Sequence, residues 1–457
     1  MPESSIESPV CALEYRYGRK EMKAIFSEAN KLAKFLEVEA ALAEAHAQVG
    51  NISEEDAKTI RANANLDSVK VEAVNAIEAE IRHDVMAVVK AMAAQCGDAG
   101  KSIHLGATSN DIIDTGTALQ LKEAVEIIRQ DLVTLKKSLL TLAEEHKNTL
   151  QVGRTHGQFA VPTTFGLKMA VYGAEVARHI DRLDEVKDRL LVGKMTGAVG
   201  TGAALGDEAL KIQDIVMEKV GLRAEEASLQ IIGRDRYIEF IALLANIATS
   251  LEKFATEVRN LQRSEIKEAA EAFDVKKQVG SSTMAHKKNP ITAENICGLA
   301  RVTRGFLLPT FENNVLWHER DLCNSSGERI ILPHACVLID DIIVKMTNVF
   351  DHLAVYPENM KKNLESSKGL IMGESVMMAL TKKGVGRQVA HEAVRQAAMK
   401  AVENDLNFTD TLSHDDTISQ ALSEQELREA LNPKNYTGSA PEIVERIIKK
   451  YVEYKIT

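Results

Sequence analysis

The spacing of apolar residues in one segment constrains the fold of this chain more than any other feature. Between residues 121 and 142 an apolar side chain recurs at alternating intervals of four and three, at Leu121, Val125, Ile128, Leu132, Leu135, Leu139 and Leu142. Because an α-helix turns once every 3.6 residues, this spacing places all of them on one stripe, which suits packing in a bundle or coiled coil. The pattern predicts a single long helix from Asp111 to Lys147.

Two further segments also favour long helices. Residues 234–277 contain neither Gly nor Pro, and residues 164–191 carry apolar side chains at helical spacing. Only 9 prolines interrupt 457 residues, and a chain of this length exceeds what one hydrophobic core fills. We therefore expect an all-α protein with an N-terminal domain of residues 1–110, a central long-helix bundle of residues 111–364 and a C-terminal domain of residues 365–457.

Charge and composition exclude several classes of partner. A formal net charge of −10 argues against nucleic acid or an anionic membrane, and no apolar run reaches the roughly 20 residues of a membrane helix. The N-terminus lacks a basic region followed by an apolar stretch, and the five cysteines form no CxxC pair. We expect a cytoplasmic protein with reduced thiols. Clustered Cys/His and Asp-rich loops are lacking, so no metal site is expected.

Three polar segments next to the long helices are candidates for chemistry, because loops on a rigid scaffold often carry function. The segment 280–290 reads GSSTMAHKKNP and offers hydroxyls, lysines, an imidazole and an amide after a glycine. Such a loop can bind an oxyanion and lower the pKa of a hydroxyl, although a solvated basic turn has the same composition. The segments 153–158 (GRTHGQ) and 104–111 (HLGATSND) are the others. The second of these also suits a helix cap at Ser109, Asn110 or Asp111.

The segment 280–290 resembles the GSSxMPxKxNP motif of the fumarase/aspartase superfamily, with Ala285 at the position of the first proline. The resemblance implies an all-α, three-domain subunit whose central bundle forms the core of a homotetramer, with active sites shared between subunits. It also implies β-elimination that releases fumarate without a cofactor. In the roles carried over, Ser281 is the general base, His156 is the general acid, Lys287 and Asn289 bind a carboxylate, and Glu294 orients His156.

Other segments resemble one family within that superfamily, the adenylosuccinate lyases. These are EYRYGRKEM near residue 16, EIRHDVMAVV near residue 83 and WHERDLCNSSGER at residues 317–329. The resemblance implies that His83 contacts substrate and supports the acid. It implies substrate-binding roles for Arg16, Tyr17, Arg82, Asp84, Thr108, Ser109, Thr155, Gln230, Ser282, Arg320, Ser325 and Arg329. The implied substrates are adenylosuccinate and succinyl-aminoimidazole-carboxamide ribotide, both intermediates of purine biosynthesis.

Two alternatives remain at this point. A sister lyase acting on argininosuccinate, aspartate or malate would share the elimination residues but would not need residues that bind a nucleotide phosphate. A non-catalytic helical scaffold could keep the fold, although Ser281, Lys287, Asn289, His156 and Glu294 are all present. Turnover of a nucleotide substrate separates these alternatives from the family that the resemblance implies.

Overall fold

The computed structural model of the chain describes residues 10–273, 283–284 and 287–452. Helices make up most of this part of the chain, so the expected all-α architecture is confirmed. The helices are α1 (Ala12–Tyr15), α2 (Lys20–Ile25), α3 (Glu28–Gln48), α4 (Glu54–Asn63), α5 (Val71–Ile81), α6 (Asp84–Ala93), α7 (Ser109–Glu145), α8 (Phe165–Leu190), α9 (Ala209–Val220), α10 (Asp235–Leu261), α11 (Ile291–Gly305), α12 (Leu307–Glu312), α13 (Cys323–Asp351), α14 (Pro357–Glu365), α15 (Gly373–Lys382), α16 (Arg387–Glu403), α17 (Phe408–Ser413), α18 (Asp416–Ala421), α19 (Glu424–Ala430) and α20 (Ala440–Val452).

The strands are short and pair two by two. They are β1 (Leu150–Thr155), β2 (Gln158–Thr164), β3 (Val192–Gly193), β4 (Arg223–Ala224), β5 (Ala269–Ala270) and β6 (Ala354–Val355). β1 pairs with β2 and β5 with β6 in antiparallel fashion, whereas β3 and β4 are parallel. No helix in the part of the chain that the structure describes is long and apolar enough to span a membrane.

The apolar stripe predicted the longest helix well. α7 begins two residues before the predicted start and ends two residues before the predicted end. All seven members of the stripe, from Leu121 to Leu142, are buried. α8 likewise matches the prediction for residues 164–191. The spacing of the apolar residues was decisive in both cases because each stripe must be covered by other helices.

The prediction of a helix through residues 234–277 was too long. α10 ends at Leu261, Lys267 adopts a left-handed conformation with φ of 53°, and the chain continues into β5. The buried carboxylate of Glu268 accepts two hydrogen bonds from Arg154, a contact that a continuing helix would not supply. Tertiary contacts therefore outweigh the helical propensity of this segment.

The chain divides into two compact units. The first unit contains the described residues up to Leu132, His179–Leu251 and Gly298–Val344, and the second contains Val133–Arg178, Glu252–Cys297 and the chain from Lys345. The first has a core formed by α3, α6, α9 and the beginning of α7, and the second has a core formed by α15 to α19.

Candidate active site

A pocket in the first unit has a volume of about 330 Å³ and a lining rich in charged groups. α3, α6, α7 and α13 contribute to it, together with residues just before α10 and α13. The charged and hydroxyl-bearing side chains of the lining are Glu28, Lys31, Asp84, Asp114, Thr117, Arg234, Arg320, Ser325, Glu328 and Arg329. A cavity of this size with several convergent polar groups suits a small ligand.

The first turns of α13 supply one wall of the pocket. Ser325 and Arg329 are four residues apart, so they project from the same face of the helix. The Nη2 atom of Arg329 donates to Oδ2 of Asp84 at 2.6 Å, and the backbone N–H of Val85 donates to Oδ1 at 2.8 Å. Burial alone would raise the pKa of Asp84, but these hydrogen bonds and the cationic neighbours lower it below the usual value. Asp84 is therefore an anion that orients Arg329.

Arg234 is a structural cation beneath this wall. It is buried and donates to both oxygens of Asp114, at 2.8 and 3.1 Å, and to Glu328 at 2.8 and 3.2 Å. Its Nη1 atom also donates to the carbonyl of Ile232 at 3.0 Å. These contacts occupy the donor directions of the guanidinium, so little capacity remains for a ligand. Arg234 fixes the scaffold.

Arg320 differs because it keeps free donor capacity. Its Nη1 atom donates to the side-chain oxygen of Gln230 at 3.2 Å, which brings together two of the predicted substrate-binding residues. Its Nε atom is buried and has no hydrogen-bond partner within the described chain. Burial, followed by the charge of Arg234, lowers the pKa of Arg320. A buried cationic donor without a partner is costly, and an anionic ligand would relieve that cost.

The N-terminus of α7, which carries Thr108 and Ser109, is held by a buried ion pair. Asp111 and Lys194 are both fully buried, and the ammonium group of Lys194 donates to the Asp111 carboxylate. Asp111 also accepts from the backbone N–H groups of Thr108 at 2.8 Å, Thr196 at 2.9 Å and Gly197 at 3.1 Å. Asp111 thus caps the N-terminus of α7 through its hydrogen bond from Thr108. The hydrogen bonds from Thr196 and Gly197 hold the turn after Lys194 against the start of this helix.

His83 is the N-cap of α6, and its neighbour Arg82 ends α5 in a left-handed conformation with φ of 55°. The Nδ1 atom of His83 accepts from the backbone N–H of Met86 at 3.3 Å. In the neutral ring this contact leaves the proton on Nε2. His83 is exposed, so a donor at Nε2 is available to a ligand.

In the second unit, the polar segment at residues 153–158 belongs to the β1–β2 hairpin rather than to the loop that we expected, and His156 lies at the tip of this hairpin. Thr155 pairs with Gln158, and the two residues between them, His156 and Gly157, have φ of 55° and 74°. Two positive φ angles in a two-residue loop are characteristic of a type I′ turn. The side chain of His156 is exposed and makes no hydrogen bond or ion pair with residues that the structure describes.

Arg154 anchors this hairpin close to its turn. It donates to both oxygens of Glu268, at 2.7 and 3.0 Å, and Glu268 is fully buried. Gln151 and Asn363 donate to the same carboxylate at 2.6 and 2.7 Å. A bidentate pair with two further donors is geometrically specific. It fixes the strand that leads into Thr155 and His156.

The start of α11 follows the predicted carboxylate-binding segment. The carboxylate of Glu271 accepts hydrogen bonds from the backbone N–H groups of Thr292 and Ala293. These N–H groups belong to the first turn of the helix and have no partner within it. Burial raises the pKa of Glu271. The Nε2 atom of Gln262 donates to the carbonyl of Lys288 at 3.1 Å. These contacts hold the chain on either side of Asn289.

Comparisons with known proteins identify the family. A family model described as lyase matches residues 14–305, and a model described as adenylosuccinate lyase C-terminus matches residues 369–447. The chain is 53% identical over 441 residues to an adenylosuccinate lyase of Pyrococcus horikoshii, covering 96% of this chain and 97% of that protein. It is 50% identical to one of Methanothermobacter thermautotrophicus, covering 96% and 98%. The chain belongs to the adenylosuccinate lyase family.

Solved structures of the wider superfamily share the fold of this adenylosuccinate lyase family member. A fumarate lyase of a Mesorhizobium species is 31% identical with a TM-score of 0.87, covering 94% of this chain and 98% of that chain. The 3-carboxy-cis,cis-muconate lactonizing enzyme of Pseudomonas putida is also 31% identical, with a TM-score of 0.88 and coverage of 97% and 99%. The resemblance stated from the motifs is therefore confirmed at the level of both family and fold.

The two units divide the site residues expected for the family. The first unit holds Arg16, Tyr17, Arg82, His83, Asp84, Thr108, Ser109, Gln230, Arg320, Ser325 and Arg329. The second holds Thr155, His156, Lys287, Asn289 and Glu294, of which Asn289 is half-buried and the others are exposed. The predicted base Ser281 and its neighbour Ser282 lie outside the described residues.

Within the first unit the pocket unites some of these residues and not others. Its lining includes Asp84, Arg320, Ser325 and Arg329. Gln230 does not line the pocket but accepts a hydrogen bond from Arg320. Among the described residues, Arg16 and Tyr17 are not part of this lining. The guanidinium carbon of Arg16 lies 6.0 Å from the centroid of the Tyr17 ring.

Sequence reasoning missed the residues that hold the functional side chains. Glu268 and Glu271 occur in a run of Ala and Glu that is typical of a helix surface. The hairpin did have a signal, because His-Gly between two alternating segments is compatible with a two-residue turn. Lys31 lies on α3, and no signal in the sequence distinguished this pocket lysine from the solvent-exposed lysines of the chain.

Proposed function

We propose that this chain cleaves adenylosuccinate to AMP and fumarate, and cleaves succinyl-aminoimidazole-carboxamide ribotide to the aminoimidazole-carboxamide ribotide and fumarate. The family supports the reaction, and the pocket of the first unit, with Arg320 and Arg329 in its lining, is the observation that supports a nucleotide substrate. Arg320 and Arg329 offer planar donors to a phosphate, and Ser325 adds a hydroxyl on the same helix face as Arg329. Gln230 and Asp84 orient the two guanidinium groups.

The elimination requires a base and an acid. In the proposal, Ser281 removes a proton from the carbon β to the nitrogen, and Lys287 and Asn289 stabilise the negative charge that spreads into the adjacent carboxylate. The carbon–nitrogen bond then breaks as the double bond of fumarate forms, and His156 protonates the leaving nitrogen. The exposure of His156 on a tightly defined hairpin turn supports this role, because the acid must reach a substrate while its backbone stays fixed.

The remaining predicted residues complete the site. Glu294 orients the imidazole of His156, and His83 supports it with its Nε2 proton. Thr108 and Ser109 bind a substrate carboxylate at the N-terminus of α7, where backbone N–H groups favour an anion. Thr155, Arg82, Ser282, Arg16 and Tyr17 are proposed as further substrate contacts.

We infer a cytoplasmic homotetramer whose subunits have three domains, at residues 1–110, 111–364 and 365–457, and whose central bundles form a common core. Each site would then combine residues from three subunits. The long helices α7, α8, α10 and α13 support this inference because helices of this length need extensive packing partners.

Two variants test the site and the assembly together. Ser281→Ala and His156→Ala should each lose several orders of magnitude in release of fumarate from adenylosuccinate. When the two purified variants are mixed and reassembled, about a quarter of the sites should contain both intact residues. Near-normal turnover of Ser281→Ala would exclude the proposed base. Mixed tetramers without recovered activity would exclude shared sites.

A further inference from the structure

Lys31 is a cation of the pocket that no motif indicated. It lies on α3 and lines the 330 Å³ pocket as well as an adjoining hollow of about 80 Å³ that extends toward α5. Its ammonium nitrogen is 5.5 Å from the centroid of the Phe35 ring. Within the described chain, no carboxylate oxygen lies within 4.0 Å of this nitrogen and no hydrogen bond engages it.

The nearby acids do not form an ion pair with Lys31. Asp84 is engaged by Arg329 and the backbone of Val85, and Glu28 and Glu78 act on Lys31 only at longer range. Burial, followed by the charge of Arg329, lowers the pKa of Lys31. Since a partly desolvated ammonium group without an ion-pair partner is unfavourable, the pocket favours an anion near Lys31.

The neighbours of Lys31 indicate which anion. Arg329 repels Lys31, and both side chains line the same cavity with Arg320. Of the carboxylates that also line this cavity, Asp84 pairs with Arg329, and Asp114 and Glu328 pair with Arg234. A multiply charged anion could therefore lie between Lys31, Arg320 and Arg329. The phosphate of a nucleotide carries close to two negative charges at neutral pH, whereas a single carboxylate carries one.

We propose that Lys31 binds the phosphate of the nucleotide substrate together with Arg320 and Arg329. This inference rests on the proposed function, since it assigns a further residue to the same pocket. Lys31 acts on binding and not on the elimination itself. Its removal should therefore raise KM and leave kcat nearly unchanged.

The test compares Lys31→Met, which removes the ammonium and keeps an apolar stem, with Lys31→Arg. Inhibition of adenylosuccinate turnover is measured for AMP and for adenosine, which lacks the phosphate. We expect Lys31→Met to weaken AMP inhibition about ten- to hundredfold and to raise KM similarly, because a charge-assisted hydrogen bond is lost. Inhibition by adenosine should change less than twofold, and Lys31→Arg should recover most of the AMP inhibition.

The matched control is Lys34→Met, the same change one turn along α3. Lys34 pairs with Glu123 and does not line the pocket, so AMP inhibition should stay at the unmodified level. Thermal unfolding of the ligand-free protein separates binding from folding. Lys31→Met should be as stable as the unmodified chain or more so, because a partly buried charge without an ion-pair partner has been removed.

Two results would overturn the inference about Lys31. One is unchanged AMP inhibition in Lys31→Met, and the other is an equal loss of AMP and adenosine inhibition. Both leave the proposed function intact, because they require an active enzyme. Absence of adenylosuccinate turnover in the unmodified protein would instead refute the proposed function.

Discussion

Replacing Lys194 with methionine would leave the Asp111 carboxylate buried without its cation. Both side chains are fully buried, and the remaining donors to Asp111 are the backbone N–H groups of Thr108, Thr196 and Gly197. Breaking a buried pair by removing one partner costs about 3–5 kcal/mol, because the other charge stays desolvated. Lys194→Met should therefore lower the free energy of unfolding by that amount, and Asp111→Asn should lower it similarly.

The double variant distinguishes an ion pair from two independent effects. Asp111→Asn/Lys194→Met removes both charges, so its loss should be close to that of one single variant and well below the sum of both. Urea unfolding at fixed protein concentration, followed by circular dichroism, gives the four free energies. Glu424→Gln in the exposed pair with Arg428 is the control and should cause no measurable loss. A Lys194→Met variant within about 0.5 kcal/mol of the unmodified chain would refute the argument.

Two further predictions concern pH and the hairpin. Burial would lower the pKa of His104, but its hydrogen bond of 2.7 Å to Glu39 and the charge of Glu39 raise it overall. A raised pKa stabilises the folded state fully below the unfolded value of about 6.5 and ceases to do so as pH rises through the folded value. The difference in free energy of unfolding between the unmodified chain and His104→Gln should thus be largest near pH 6 and shrink toward pH 9. A difference that grows as the pH rises would contradict a raised pKa of His104. Arg154→Met should reduce kcat roughly 10- to 100-fold, because the strand that leads to His156 loses its anchor on Glu268. Arg154→Lys should reduce kcat less. Equal kcat values for Arg154→Met and the unmodified chain in steady-state assays would argue against anchoring.

Periodicity predicted the parts of the fold in which one stripe of side chains has to be buried. α7 and α8 followed from the spacing of their apolar residues alone, within two residues at each end. α10 was predicted too long, because the chain after Leu261 leaves the helix and brings Glu268 to Arg154, which is 114 residues away in sequence. Local propensity contains no information about such a partner.

The candidate site was predictable where short motifs carry the chemistry. Motifs indicated Arg320, Ser325 and Arg329, and the structure places all three on one pocket lining. Lys31 could not be found in this way because its proposed role depends on its lack of an ion-pair partner, which is a property of the folded surroundings. Glu268 likewise acts through burial, and sequence alone gave no reason to expect it inside.

The most direct test of the account is a turnover assay with purified protein, with adenylosuccinate and argininosuccinate supplied separately. Conversion of adenylosuccinate to AMP changes the absorbance of the purine, and fumarate can be quantified in both reactions. We predict equimolar AMP and fumarate from adenylosuccinate and no fumarate from argininosuccinate, because only the nucleotide offers a phosphate to Arg320 and Arg329. Fumarate from argininosuccinate with no cleavage of adenylosuccinate would contradict the account and would assign the chain to a sister lyase activity.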